Sequence, residues 1–123
     1  RALARIRGHA THSMHPSKFT IAPVGAITTL LNQVGWNKDD VDLFEINEAF
    51  AMVTMLAIRE LDLDPSKVNI YGGACAQGHP IGSTGSRLIV TLTHALRTTG
   101  GKRGVAALCI GGGEATAVAI ETV

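Results

Sequence analysis

Gly104-Val105-Ala106-Ala107-Leu108-Cys109-Ile110-Gly111-Gly112-Gly113, followed after Glu114 by Ala115-Thr116-Ala117-Val118-Ala119-Ile120-Glu121-Thr122-Val123, is the stretch that decides the fold. The apolar run over 104–110 reads as a strand covered on both faces. Three glycines then make a tight turn, and Ala115 to Val123 returns as a second strand, so the pair forms an antiparallel hairpin. Immediately upstream, Leu88, Leu92 and Leu96 recur at four-residue spacing in the longest helix, which Pro80 opens and Gly100-Gly101 ends. Before it come the turn Asp64-Pro65-Ser66, a brief extended piece over Val68 to Tyr71, and a glycine-rich loop from Gly72 to Gly78.

Further toward the N-terminus, Asp40 to Ile46 reads as a short strand running into Asn47-Glu48-Ala49-Phe50-Ala51 and a helix to about Leu61. Val53, Leu56, Ala57 and Leu61 share one face of that helix, while Met52, Met55 and Ile58 fill the others, which predicts burial nearly all round. Ala22-Pro23 starts another helix, through about Asn32, with Gly35 as its stop. Thr11 to Lys18 reads as a loop, and residues 2–10 as a first strand. Strands alternating with helices, without linker or repeat, predict one α/β domain: a mixed sheet with helices packed on its faces.

Composition narrows the function. With 123 residues, 46% of them hydrophobic, the chain can bury a real core. A net charge of +1 with scattered Lys and Arg leaves no footprint for nucleic acid or an anionic membrane surface. No apolar run reaches the roughly 18 residues of a membrane span, and Arg1-Ala2-Leu3-Ala4 lacks the apolar stretch of a signal peptide, so a cytoplasmic location is expected. Cys75 and Cys109 have no C-x-x-C partner, so they read as reduced thiols. Residue 1 is not Met and the first segment already reads as a strand, so the chain is expected to be a fragment.

Three segments offer chemistry. In Gly72 to Arg87, Gly-Gly-Ala-Cys-Ala-Gln-Gly-His-Pro-Ile-Gly-Ser-Thr-Gly-Ser-Arg, His79 is set just before the expected helix start, where the positive end of the helix dipole favours a neutral imidazole. The glycines could equally serve close packing alone, with His79 capping the loop. The spacing is not the G-x-G-x-x-G of a dinucleotide site. Cys109 ends a strand beside bare glycine backbone, where α/β sheets place their sites, although a strand cysteine is often a small buried hydrophobe. Asn47 stands at a strand-to-helix junction, where an ordinary N-cap is the alternative. His9-x-x-His12-x-x-His15 does not converge well and has no acidic or thiolate companion, so no metal is expected. Ser83 and Ser86 lie on the helix without a nucleophile elbow and read as structural.

Asn-Glu-Ala-Phe-Ala, Gly-His-Pro-Ile-Gly and Cys-Ile-Gly-Gly-Gly occur in this order in one small α/β chain, and the combination resembles the thiolase family. The resemblance runs from about Arg5 to the end, including His15-Pro16-Ser17-Lys18-Phe19-Thr20-Ile21-Ala22-Pro23 and Ala117-Val118-Ala119-Ile120-Glu121. Decarboxylating ketoacyl synthases share the fold but usually carry His or Asn where thiolases have a second cysteine, so Cys109 favours thiolase. A thiolase-like module that only binds acyl-CoA or a protein is the alternative; it would be expected to lose one of Asn47, His79 and Cys109, and all are present.

The resemblance implies a thiolase-like layered fold, of which residues 1–123 are the C-terminal domain and one of two duplicated halves. It implies acyl transfer: Claisen condensation of acyl-CoA or thiolysis of 3-ketoacyl-CoA, with coenzyme A thioesters as substrates and no permanently bound cofactor. His79 would activate the nucleophilic cysteine and line an oxyanion hole through a ring N–H. Asn47 would hold the water completing that hole, Cys109 would move the substrate α-proton, and the Gly111 N–H would serve a second oxyanion hole. Phe19 would stand beside the pantetheine arm, where many bacterial relatives have Met. The nucleophilic cysteine belongs to the N-terminal half, which would be the partner of this chain in a homo-oligomeric full-length protein; the fragment alone is expected to be inactive. Cys75 stands where relatives have a small apolar residue, and reads as a packing residue.

Overall fold

The computed structural model describes residues 1–123. Four strands, β1 (Ala4–Ser13), β2 (Leu43–Ile46), β3 (Arg103–Ile110) and β4 (Glu114–Thr122), form one mixed sheet in the order β1-β4-β3-β2. β3 and β4 are the expected hairpin, β1 adds antiparallel to β4, and β2 lies parallel to β3. A parallel neighbour needs a crossover, and here residues 47–102 supply it. That crossover holds α2 (Ala51–Leu61), the short α3 (Ala74–Gln77) and α4 (Thr84–Thr99), while α1 (Ala22–Val34) links β1 to β2.

Alternation along the strands divides the interior into two cores. Val105, Ala107, Ala115, Ala117 and Ala119 face α1, whose Ala26, Ile27 and Leu30 recur at helical spacing and are buried. Gly35 ends α1 in the left-handed conformation at φ 71°, its N–H donating to the Leu31 carbonyl, as a C-terminal glycine does. On the other face Ala106 and Ile120 meet Leu88, Leu92 and Leu96 of α4. Each of these leucines is fully buried, worth roughly 1.5–3 kcal/mol of transfer free energy.

Several expectations are corrected. β1 does not stop at residue 10, because His12 and Ser13 pair with Ala115 and Glu114; cross-strand partners override the polar look of that stretch. β2 is shorter than 40–46, since Lys38–Asp40 is a 3₁₀ turn closed by Asn37 and Asp40 in a capping box. The glycine-rich loop contains α3. The long helix begins at Thr84, not Pro80: Ser83 N–H donates to the Pro80 carbonyl at 2.7 Å, and residues 80–83 close as a turn instead. α2 is not buried all round, for Met52 and Met55 are 50% and 66% exposed and only Val53, Thr54 and Ala57 are buried, because no second layer covers its outer side. Cys75 is exposed, not a packing residue. No helix is long and apolar enough to cross a membrane.

Candidate active site

The parallel pairing of β2 with β3 brings Ile46 opposite Ala107, so the chain leaves β2 at Asn47 on the same sheet edge where β3 ends in Cys109 and Ile110. Strand exits of this kind leave a crevice at the sheet edge. A cleft of about 300 Å³ opens there, lined by His79, Cys109, Gly111, Phe19, Thr84 and Ile110 among its walls. Asn47 is not a wall residue. It is 1% exposed and lies behind the wall, its N–H donating to the Ala107 carbonyl at 2.9 Å, while Ala49 reaches the cleft.

Two glycines fix the loops that carry these groups. Gly113 has φ 98°, and a Cβ there would collide with the Met14 carbonyl oxygen. That contact and the Met14 N–H bond to the Gly113 carbonyl, 2.8 Å, dock the hairpin turn after Cys109 on the segment that leads to Phe19. Phe19 in turn packs edge-on against Phe50, the residue before α2, at 6.2 Å between ring centres. At Gly73 the Glu48 carboxylate occupies the space a Cβ would need, and its Oε1 accepts from the Cys75 N–H at 3.2 Å. The residue after Asn47 thereby ties down the loop before His79.

His79 is held by its neighbour in the turn. Nδ1 lies 2.6 Å from Thr84 Oγ1, and that hydroxyl donates to the Pro80 carbonyl at 3.0 Å. A threonine hydroxyl has one proton, and a carbonyl can only accept. With that proton on the Pro80 carbonyl, the Thr84 oxygen accepts from Nδ1–H of His79, the arrangement in which Nε2 keeps a free lone pair. The helix start is five residues further on, so this bond, and not the helix dipole, governs the ring.

Burial pushes the Cys109 thiol up, partly offset by backbone hydrogen bonding, so at neutral pH the group is a thiol. Cys109 is half-buried. Behind the cleft, Glu45 is 2% exposed; burial raises its carboxyl to about 7, with Arg87 pulling it down and Glu48 adding to the rise. Arg87 Nη1 is 3.3 Å from Glu45 Oε1, and Arg87 Nη2 is 3.4 Å from Asn47 Oδ1. Sequence reading passed over Glu45 and Arg87. The available signal was a charged residue inside an otherwise apolar strand. Nowhere do three His, Cys, Asp or Glu side chains gather as metal ligands, and His15 instead accepts from the Ser17 N–H at 3.2 Å, capping a 3₁₀ turn.

Fold and cleft together define a layered α/β domain with a thiol and an imidazole at one sheet edge. The sequence model of the thiolase C-terminal domain matches residues 1–122. The cytosolic acetyl-CoA acetyltransferase of Mus musculus is 51% identical over 97% of this chain and 30% of its own length, and a probable acetyl-CoA acetyltransferase of Dictyostelium discoideum is 52% identical over 97% and 29%. Among solved structures, the acetyl-CoA acetyltransferase of Bacillus anthracis superposes with a TM-score of 0.98 at 45% identity, over 100% of this chain and 31% of that one. Human mitochondrial 3-ketoacyl-CoA thiolase in complex with CoA gives 0.97 at 47% identity, again over 100% and 31%. The chain belongs to the thiolase family, as its C-terminal domain. It spans about 30% of the length of the relatives it matches.

Proposed function

We propose that residues 1–123 act as the C-terminal catalytic domain of an acyl-CoA acyltransferase, joining two acyl-CoA molecules into a 3-ketoacyl-CoA or cleaving one with CoA. The observation that carries the reading is the single cleft shared by His79, Cys109 and Gly111. A cysteine of the N-terminal domain would attack the first thioester after giving its proton to Nε2 of His79, forming an acyl-cysteine and releasing CoA. The ring then carries an Nε2–H and turns from acceptor to donor, so one imidazole serves both as base and as oxyanion-hole group. Cys109 gives its proton to the departing CoA thiolate and, as the thiolate so formed, takes the α-proton of the second acyl-CoA. The resulting carbanion attacks the acyl-cysteine, making the carbon–carbon bond and expelling the cysteine thiolate. The Gly111 N–H would stabilise an oxyanion, and Asn47 would hold a water against the thioester oxygen.

The same reading takes Phe19 as a wall of the acyl or pantetheine pocket, and the protein as a cytoplasmic homo-oligomer working in fatty acid metabolism. The face of α4 and β1 with exposed Val90 and Ile6, 58% and 68%, supports docking of the N-terminal domain there. No permanently bound cofactor enters the scheme. An assay with acetoacetyl-CoA and CoA tests it: the full-length protein should turn over, and the purified 123-residue chain should not, having no acyl-accepting cysteine. Turnover by the chain alone, abolished by alkylating Cys75, would refute the assignment.

A further inference from the structure

Glu45 and Asn47 stand two residues apart at the end of β2, so they project to the same side, the side on which Leu43 joins the α4 core. Both are almost wholly buried, and buried polar groups need partners. Arg87, in the first turn of α4, reaches both through the two arms of its guanidinium, at 3.3 and 3.4 Å. An arginine has donors only, so the atom of Asn47 that faces it is the carbonyl oxygen. That choice decides where the other half of the amide goes. Asn47 Nδ2 is buried and meets no acceptor of the protein. Asn47 itself stands behind the cleft wall, to which Ala49, two residues on, and Thr84, three residues before Arg87, both belong.

We propose that Arg87, itself held by Glu45, is the positioning residue that sets the carboxamide of Asn47, drawing Oδ1 to the guanidinium and keeping Nδ2 as the donor available to the site. The inference rests on the reading of Asn47 as an oxyanion-hole residue. The planar fork of arginine bridges two acceptors on one strand, which the point charge of lysine cannot do in the same geometry. Glu45 explains why a charge is tolerated in a buried strand: it anchors the fork, and its partner spans to the amide two residues away.

The test uses the full-length protein carrying this chain. Arg87→Lys keeps the positive charge opposite Glu45 and removes the fork. Crystal structures of the wild type and R87K read the side-chain torsion of Asn47, and steady-state thiolysis of acetoacetyl-CoA is measured for R87K, N47A and the double variant. The expected result is an Asn47 side chain turned from its wild-type rotamer and a kcat lower by about 10²-fold with little change in KM, the loss that a misplaced group brings. Adding R87K to N47A should then cost little more, because both act through one amide. An unmoved Asn47 in R87K, or losses that multiply in the double variant, would overturn the proposal. Should R87K not fold, E45Q/R87Q, which leaves no unpaired buried charge, carries the same reading. An inactive wild type would instead refute the function proposed above, while the Asn47 torsion still decides the clamp.

Discussion

The hydroxyl of Thr84 stands 2.6 Å from Nδ1 of His79 and 3.0 Å from the carbonyl of Pro80, so the imidazole is fixed by a hydrogen bond inside its own turn. Thr84 is 2% exposed, which keeps water from replacing it. Thr84→Val should therefore free the ring and lower kcat of the full-length enzyme about tenfold, less than the 10²–10⁴ expected on losing an acid/base group outright. Thr84→Ser should restore most of the activity. Equal loss in both variants would make the effect one of packing.

His79 and Cys109 reach the cleft from different elements, a turn before α4 and the end of β3, and should fail differently. Cys109→Ala should slow condensation by about 10²- to 10⁴-fold while the acyl-enzyme still forms. His79→Ala should abolish the burst of acyl-enzyme as well. Rapid-quench labelling of the full-length variants with radiolabelled acetyl-CoA separates the two, and an equal loss of the covalent intermediate would leave Cys109 as a structural residue.

Glu45 titrates at about 7 in the folded chain against an ordinary value of 4.5. The folded state holds the proton more tightly, so this contribution is fully present below about pH 4.5 and is lost as pH rises through about 7. The change is on the order of 3 kcal/mol over that window. Glu45→Gln cannot ionise, and urea unfolding between pH 5 and 8 should show a flatter pH dependence than the wild type. An unchanged slope would mean that Glu45 titrates normally.

Gly113 combines φ 98° with a backbone oxygen where a Cβ would stand, whereas nothing lies within 4 Å of a Cβ on Gly111. Gly113→Ala should destabilise the chain by about 1–3 kcal/mol, the cost of a strained backbone position, with the clash added to it. Gly111→Ala should shift the urea midpoint much less. Comparable shifts would show that the Met14 contact relaxes freely.

Much of the fold is legible in the sequence because the signals are local. Pro23 and Gly35 bracket α1, the four-residue leucine spacing marks α4, and the glycine run between two apolar segments makes the β3–β4 hairpin. The three motifs likewise point to Asn47, His79 and Cys109 before any coordinates. What sequence alone misplaced depends on partners distant along the chain. Ser13 becomes strand because β4 lies beside it. Met52 and Met55 stay exposed because no layer covers α2, a fact that helical periodicity cannot carry.

By itself the sequence determined the residue types, the turn chemistry and the periodicities, and with them the class of fold and the motifs. Only the tertiary structure decided that β2 lies parallel to β3, which sets Asn47 and Cys109 at one edge. Only it placed His79 against Thr84 and Arg87 across Glu45 and Asn47, 42 and 40 residues away along the chain. Side-chain hydrogen bonds reach about 3 Å, and whether such distant residues come that close is set by the crossover packing of α4 on the sheet, not by any spacing along the chain.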